Sequence, residues 1–373
     1  MPLAAGANPV CVQSDPASFA AWSDGANVRY VDLRSTESTL KHIALDGAIA
    51  GTPAPLRDPS RTAVLTASGT LSLLDFANGN VLSSRKLPGA TLLAATAQDD
   101  LLLVAAASPP ALHILDSRTL ATLRTHAIAD RKGRTAQATR IVDAAPRRSF
   151  MVFFDHLGEF WEIPYDAKAE PVFEGLVHDY RLGEGIADAA RFPLRRIPLD
   201  APARDGDFDT RFEHVTVTDG EQGVKIINVN VRRSIATMQT EHPVAPGNGV
   251  AWLDREKRWV GVQEKSGDAL ALLAGPEWKI AGRIDPGGRV LCVISDTARH
   301  ALWFAVSRNG KPGVAKFDTL ERRIAATLAL PGAGEWAALA LAGDTLIAIL
   351  TGGKSYVIDP GSGAIRAQRS VLP

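Results

Sequence analysis

One loop of this chain joins a residue that could do chemistry to residues that could hold it in place. In order, the loop reads His242, Pro243, Val244, Ala245, Pro246, Gly247, Asn248 and Gly249. Proline fixes its own backbone angle and glycine adopts angles that other residues avoid, so the loop should have one defined shape. Such a loop could aim the imidazole of His242 at a ligand. An ordinary turn is the alternative interpretation of the same pattern.

Basic side chains gather in two connecting segments, although the whole chain carries 41 basic and 41 acidic residues. The segments are residues 129–139 and 175–209. Guanidinium groups bind carboxylates and phosphates through paired hydrogen bonds, so the segments could form a rim that binds anions. A solvated charged surface is the alternative. The candidate carboxylate contacts in and beside the segments are Arg131, Arg134, Arg140, Arg191, Arg195 and Arg196.

The sequence does not indicate a metal site or a hydrolytic centre. It contains no HxH, HExxH, CxxC or GxSxG motif. Cys11 and Cys292 are too few for a disulfide scaffold and match no zinc spacing. A sugar-cleaving or lactonase-like protein would need paired carboxylates or a ring of metal ligands. Glu184, Asp207 and Asp209 are too scattered along one loop to favour that class.

The elements that must position these residues repeat along the chain. Eight stretches follow one plan of apolar strands and tight turns, and in most of them one strand ends at an Asp or Asn marker. The markers are Asp32, Asp75, Asp116, Asp166, Asn228, Asp318 and Asp359. Their spacing suits the four-stranded blades of a propeller, which take about 40 to 50 residues each. Because Asp and Asn bind turn backbone, we interpret the markers as structural.

We therefore predict an all-β, eight-bladed β-propeller that forms one domain over residues 1–373, with seven or nine blades as alternatives. The N-terminal run Pro9-Val10-Cys11-Val12 is expected to pair with the last blade and close the ring. The predicted blades are residues 18–45, 52–88, 91–128, 138–176, 192–240, 247–282, 287–331 and 335–371.

Composition excludes several classes of partner. Balanced charge gives no overall field for nucleic acid or an anionic membrane. The longest apolar runs, residues 92–107 and 336–350, are interrupted by acidic residues and indicate buried strands, not a membrane span. The start lacks the basic and apolar regions of an export signal, so as it stands the sequence predicts a cytoplasmic protein. A start codon placed further upstream would make it periplasmic.

Blade order and several motifs resemble the haem d1 domain of cytochrome cd1 nitrite reductase and its relatives, among them the NirF-like branch of haem d1 biosynthesis. The resemblance includes residues 212–217, 224–228, 241–243, 247–249 and 314–318. Members of this family are eight-bladed propellers that hold a tetrapyrrole in the central mouth. Their HPGRGAN-like segment supplies a histidine of the haem pocket, and His242 with Gly247 and Asn248 is its counterpart. The resemblance thus implies haem d1 or a precursor as cofactor.

Other motifs depart from the family. Ala145 stands where a second histidine of the haem pocket is expected, and residues 205–213 differ from the motif DGGxDxSHRY. Residues 46–52 lack the histidine that binds haem iron in the reductase, and Gly51 takes its place. These differences argue against turnover of nitrite. The absence of a CxxCH motif for c-type haem also favours the NirF-like branch.

The resemblance therefore implies a propeller that binds a carboxylate-bearing tetrapyrrole in haem d1 biosynthesis or handling. The arginines named above would contact its carboxylates, and His242 would face the macrocycle. The alternative is a propeller that has lost its cofactor and serves as a rigid platform for a protein partner. The sequence leaves open whether chemistry follows binding.

Overall fold

The computed structural model describes residues 10–13, 19–32, 41–169, 172–174, 186–188, 190–219, 223–332, 334–351 and 354–370. In this part of the chain, eight β-sheets form the blades of a propeller, which confirms the predicted fold. Strands pair in chain order within each blade, and at most junctions the first strands of neighbouring blades contact one another.

The first strand of the chain, β1 (Val10–Gln13), joins the last blade, and the next strands form blades 1 to 4. Blade 1 has three strands and blades 2 to 4 have four each. They are β2 (Phe19–Asp24), β3 (Asn27–Asp32) and β4 (Lys41–Ala44); β5 (Ala54–Pro55), β6 (Arg61–Leu65), β7 (Thr70–Asp75) and β8 (Asn80–Lys86); β9 (Ala90–Ala95), β10 (Leu101–Ala107), β11 (Pro110–Asp116) and β12 (Thr122–Ala127); β13 (Ala138–Ala144), β14 (Ser149–Phe154), β15 (Glu159–Pro164) and, after the inserted β16 (Val172–Glu174) and β17 (Ile186–Asp188), β18 (Arg195–Pro198).

Blades 5 to 8 complete the ring, and each contributes four strands of its own. They are β19 (Asp207–Phe208), β20 (His214–Asp219), β21 (Gly223–Asn228) and β22 (Arg233–Gln239); β23 (Val250–Asp254), β24 (Lys257–Gln263), β25 (Leu270–Ala274) and β26 (Lys279–Ile284); β27 (Arg289–Asp296), β28 (Ala301–Arg308), β29 (Lys311–Asp318) and β30 (Arg323–Ala329); β31 (Trp336–Ala342), β32 (Thr345–Leu350), β33 (Lys354–Ile358) and β34 (Ile365–Ser370).

The core consists of the junctions between blades. Among the described residues, eight apolar clusters each bridge one pair of neighbouring blades. The cluster that contains Trp22 and Ile349 joins blade 1 to blade 8 and so closes the ring. Because middle strands are covered on both faces, all six residues of β14 are buried. The outermost β30 alternates between exposed and half-buried residues, as expected for a strand with one solvated face.

The marker residues whose turns the structure describes cap those turns, as predicted. The Oδ1 atom of Asp75 accepts hydrogen bonds from the N–H groups of Ala77 and Asn78, at 2.9 and 3.2 Å. Asp318 accepts bonds from Leu320 and Glu321 in the same way, at 2.9 and 2.8 Å. Hydrogen bonds from Asn78 hold the pKa of Asp75 below its ordinary value, against the effect of burial. The markers therefore stabilise turns.

The N-terminal strand pairs with the last blade, as predicted, but it adds a fifth strand on the axis side. β1 runs parallel to β31, with Val10 opposite Ala338 and Gln13 opposite Leu341. Two cysteines are too few for a disulfide scaffold, and no bond between them was predicted, but Cys11 is bonded to Cys292 on β27. The pairing was not apparent because the two residues are 281 positions apart. One disulfide thus ties the chain's start to blade 7.

The predicted blade boundaries were wrong around the second basic segment. We expected blade 4 to end near residue 176, but its fourth strand is β18, which pairs with β15. The insertion therefore lies inside blade 4, where β16 and β17 form a separate two-stranded sheet. Blade 5 accordingly starts at β19. In the described ranges the helices are short 3₁₀ turns, Ala145–Arg147 and Thr297–Arg299, and no helix is long and apolar enough to cross a membrane.

Candidate functional site

A cavity of about 370 Å³ lies between the first strands of blades 4 to 7. We call this space the throat. Polar and apolar side chains from β13, β19, β23, β27 and the adjoining loops share its wall. The lining residues are Arg140, Val142, Gly206, Asp207, Phe208, Asp209, Thr210, Phe212, Gly249, Val250, Ala251, Ser295 and Thr297.

Arg140 brings the positive charge of a guanidinium group to this wall. It lies near the start of β13, and its side chain is 28% exposed. One terminal nitrogen of the guanidinium donates to Asp205 Oδ1 and lies 3.3 Å from the carbonyl oxygen of Gly206. Burial raises the pKa of Asp205, while Arg140 opposes that rise. The ion pair thus joins blade 4 to the loop that leads into blade 5.

Asp207 is the most unusual ionisable group of the throat. The residue is 5% exposed. Its Oδ1 atom accepts hydrogen bonds from the N–H groups of Gly247 and Gly249, both at 2.9 Å. Its Oδ2 atom is buried and has no hydrogen-bond partner among the described residues. Burial raises the pKa of Asp207 to about 6, even though Arg140 and the two N–H groups favour the anion.

Two glycines let the 242–249 loop approach these carboxylates. A Cβ atom on Gly247 would lie 2.1 Å from Asp205 Oδ2, and this residue has a φ of +123°. A Cβ atom on Gly249 would lie 2.2 Å from the carbonyl oxygen of Gly261 and 2.6 Å from Asp207 Oδ2. The backbone N–H groups can therefore reach Asp207 only because both positions lack a side chain.

Asp209 also lines the cavity, but its charge is matched behind the wall. Its Oδ2 atom lies 2.8 Å from His214 Nδ1 and 3.2 Å from a guanidinium nitrogen of Arg258. The same nitrogen lies 2.6 Å from a carboxylate oxygen of Glu213. Asp209, Glu213 and His214 could by their types hold a metal ion, but the guanidinium lies among their ligand atoms. We therefore interpret the group as an internal ion-pair network.

His242 and Asn248 stand at the two ends of the predicted ligand loop. Lys265 N–H donates to Pro243 O at 2.8 Å and Ala245 N–H donates to Gln263 O at 2.7 Å, which fixes the loop along blade 6. The His242 side chain is 49% exposed, and its Nε2 atom is 4.0 Å from a Glu241 oxygen. Asn248 is exposed between the two throat glycines. Neither side chain lines the cavity, so their contact with a ligand remains a prediction.

Three of the predicted arginines lie outside the throat wall. Arg131 is exposed in the connection between blades 3 and 4. Arg134 in the same connection is 67% exposed and binds the carboxylate of Asp130. Arg191 precedes β18, and its guanidinium carbon lies 4.5 Å from the centre of the Phe192 ring. The structure does not bring these three together with Arg140 in the cavity wall.

Arg195 and Arg196 belong to β18, the outermost strand of blade 4, and already have carboxylate partners. Arg195 lies 3.0 Å from Glu162 Oε2, and the Glu162 side chain is 2% exposed. Arg196 lies 2.6 Å from Glu159 Oε1 and stacks on Trp161 at 4.7 Å. Taking Arg195 from Glu162 would leave a buried charge without this partner, which is costly. A role for these two arginines in ligand binding remains a prediction.

The carboxylates that line the throat were not among the predicted site residues. Asp207 and Asp209 were considered too scattered in a loop, and Asp205 was seen as part of an eroded motif. Their spacing held a usable signal, because residues at i, i+2 and i+4 of an extended segment lie on one side. That Asp207 is buried depends on the 242–249 loop folding over it, which no local pattern reveals.

Three solved structures show related folds. The dihydro-haem d1 dehydrogenase NirN, in complex with DHE, matches with a TM-score of 0.78 and 18% identity, covering 98% of this chain and 75% of that one. A chain of a mitotic checkpoint complex matches with a TM-score of 0.53 and 11% identity, covering 80% of this chain and 87% of that one. Sqt1 from Saccharomyces cerevisiae matches with a TM-score of 0.57 and 10% identity, covering 85% of this chain and 83% of that one. At such identities the similarity shows the fold alone.

Comparison with curated proteins found no sequence match. The family model described as the cytochrome D1 haem domain, however, matches residues 21–348. That match extends from blade 1 into blade 8 and includes all the residues of the throat wall. The chain therefore belongs to the cytochrome D1 haem domain family.

Proposed function

We propose that this protein binds haem d1 or a haem d1 precursor in the throat, and that it serves the biosynthesis or handling of haem d1. One observation carries the proposal: a member of the haem-domain family has a cavity between its inner strands. The wall of this cavity contains the guanidinium of Arg140 and the buried carboxylate of Asp207, whose Oδ2 atom has no partner among the described residues. The similar NirN is named as a dihydro-haem d1 dehydrogenase, which supports the same class of ligand.

The residues of the throat fit a carboxylate-bearing macrocycle. Val142, Phe208 and Phe212 offer apolar surface to a ring, and Arg140 offers N–H donors to a carboxylate.

Each residue then has a separate task. Bound haem d1 would supply an iron centre and strong visible absorption. We propose that Arg140 binds one of its carboxylates, and that His242 and Asn248 face the macrocycle from the loop that ends at Gly249. Arg131, exposed near blade 4, remains a candidate for a second carboxylate.

Gly51 supports handling of the cofactor over turnover of nitrite. It lies in the connection between β4 and β5, where the family resemblance calls for the histidine that binds iron. A Cβ atom built on Gly51 meets no atom within 4 Å, but the φ of +81° at this position favours glycine. The chain thus offers no iron ligand at this place.

Titration of the purified protein with haem d1 should shift the Soret band and saturate near one equivalent. Arg140→Gln should weaken binding roughly 10-fold or more, because a hydrogen bond to a charged group contributes about 1.5–3 kcal/mol. His242→Ala should weaken it only about 3-fold, as expected for one exposed polar contact. Absorbance at several protein concentrations measures these dissociation constants.

Arg323→Gln is the matched control, since Arg323 lies on the outer β30, is 65% exposed and pairs with Glu321. It should bind haem d1 like the unchanged protein. An unchanged spectrum at micromolar haem d1 would contradict the proposal and favour the cofactor-free platform. The platform would in turn require one stoichiometric protein partner, recovered by pull-down in a preparation without pigment.

A further inference from the structure

We propose that Asp207 holds one exchangeable proton in the throat, and that a ligand carboxylate binds to Arg140 together with that proton. The inference rests on the proposed function, because it concerns how the same throat binds a carboxylate-bearing tetrapyrrole. Two observations carry it: the charges around Arg140 and the unpaired oxygen of Asp207. Asp207 would thereby determine the pH range in which the ligand binds.

The charges near Arg140 do not favour a further anion. Arg140 on β13 and Asp205 in the loop before β19 are the charged groups that act on Asp207. From the side of β23, Gly247 and Gly249 present only backbone N–H groups. With Asp207 ionised, one guanidinium therefore faces two carboxylates, and a ligand carboxylate would be the third.

Asp209, two residues further, does not change this balance. Its carboxylate is matched by Arg258 and by the Nδ1–H group of His214. The Oδ1 atom of Asp209 also accepts a hydrogen bond from the backbone N–H group of Glu213, with an N–O distance of 2.9 Å. These contacts hold its pKa below the ordinary value despite burial, so it stays ionised and paired while Asp207 changes state.

Protonation of Asp207 removes the conflict without breaking an observed hydrogen bond. The Oδ1 atom still accepts the hydrogen bonds from the N–H groups of Gly247 and Gly249. The proton comes from solvent and forms an O–H bond on the unpaired Oδ2 atom. A buried anion with an unsatisfied oxygen is costly, so the neutral form is favoured by the site itself. Protonation thus leaves only the Asp205 carboxylate beside the Arg140 guanidinium, so a ligand carboxylate becomes the second anion there and not the third.

The raised pKa of Asp207, about 6 because of burial, brings this proton within reach of neutral pH. Above that pH the free protein is ionised at Asp207, and a bound carboxylate stabilises the protonated form. Binding must then take up a proton, so affinity falls as pH rises through and above this value. Below it the proton is already present, and binding takes up little more.

Calorimetric titration with haem d1 in buffers of different ionisation enthalpy counts this proton directly. At about pH 7 the unchanged protein should take up close to one proton per haem d1, and at about pH 5 close to none. Its affinity should fall by up to roughly 10-fold per pH unit above about 6. Asp207→Asn keeps the size and the Oδ1 acceptor, so it should abolish the uptake and flatten the pH profile.

Asp200→Asn is the matched control, because Asp200 is 68% exposed and pairs with Lys225 on blade 5. It should behave like the unchanged protein. Binding without proton uptake, or an unaltered pH profile in Asp207→Asn, would overturn the inference and leave the proposed function standing. Failure of haem d1 to bind at any pH would overturn both. If Asp207→Asn does not fold, the proton count of the unchanged protein decides.

Discussion

Replacing Cys11 and Cys292 together by serine is expected to lower the free energy of unfolding by about 4 kcal/mol. Their disulfide links positions 281 residues apart, and cross-links across long loops restrict the unfolded chain most. For a chain of this length the loss corresponds to roughly 5 °C in Tm. Thermal unfolding of the oxidised protein and the double variant measures the difference.

Reduction of the unchanged protein is the companion experiment. A reducing agent should lower its Tm to that of the double variant, and it should leave the variant unaffected. Because β1 is held by β31 and by the disulfide, reduced samples should also lose this strand first to a protease. Equal Tm values for the oxidised protein and the variant would show that the disulfide does not stabilise the ring.

Replacing Gly249 by alanine should cost about 3 kcal/mol of unfolding free energy and also damage the throat. The new Cβ would lie 2.2 Å from the carbonyl oxygen of Gly261, which belongs to β24. Gly261 pairs with Val250, so the backbone has to shift at the start of β23. That shift removes an N–H donor from Asp207, and haem d1 binding should weaken along with stability.

Gly158→Ala provides the comparison for this substitution. Gly158 has no positive φ, and a Cβ there would meet Leu199 O at 3.4 Å, close to an ordinary contact. Its cost should stay below about 1 kcal/mol, with haem d1 binding unchanged. Chemical denaturation of both variants measures the costs. Similar costs at Gly249 and Gly158 would mean that the close approach at Gly249 is not a constraint.

The propeller architecture was predictable because its sequence pattern is local and repeats in most blades. Each marker, such as Asp75 or Asp318, ends a strand and caps the next turn, and that pattern needs only a few neighbouring residues. The pairing of the N-terminal strand followed from the general need to close a ring. The assignment of β18 to blade 4 was missed, because a long insertion between the third and fourth strands of a blade looks like the boundary between two blades in the sequence.

The site was less predictable because it depends on contacts between distant segments. The 242–249 loop was identified, but its main contact is the capture of Asp207 by Gly247 and Gly249, about 40 residues away. Arginine counts did not reveal partners, so Arg195 on an outer strand could not be told from Arg140 on an inner one. The sequence shows which side chains are positively charged. Whether an arginine can bind a ligand depends on which carboxylates surround it in the fold, and the sequence does not show that.

A crystal structure of the protein grown with haem d1 tests the central claim most directly. The macrocycle should lie in the throat, with one of its carboxylates bound to the guanidinium of Arg140. Haem d1 bound on the outer side of the blades, with the throat unchanged, would contradict it.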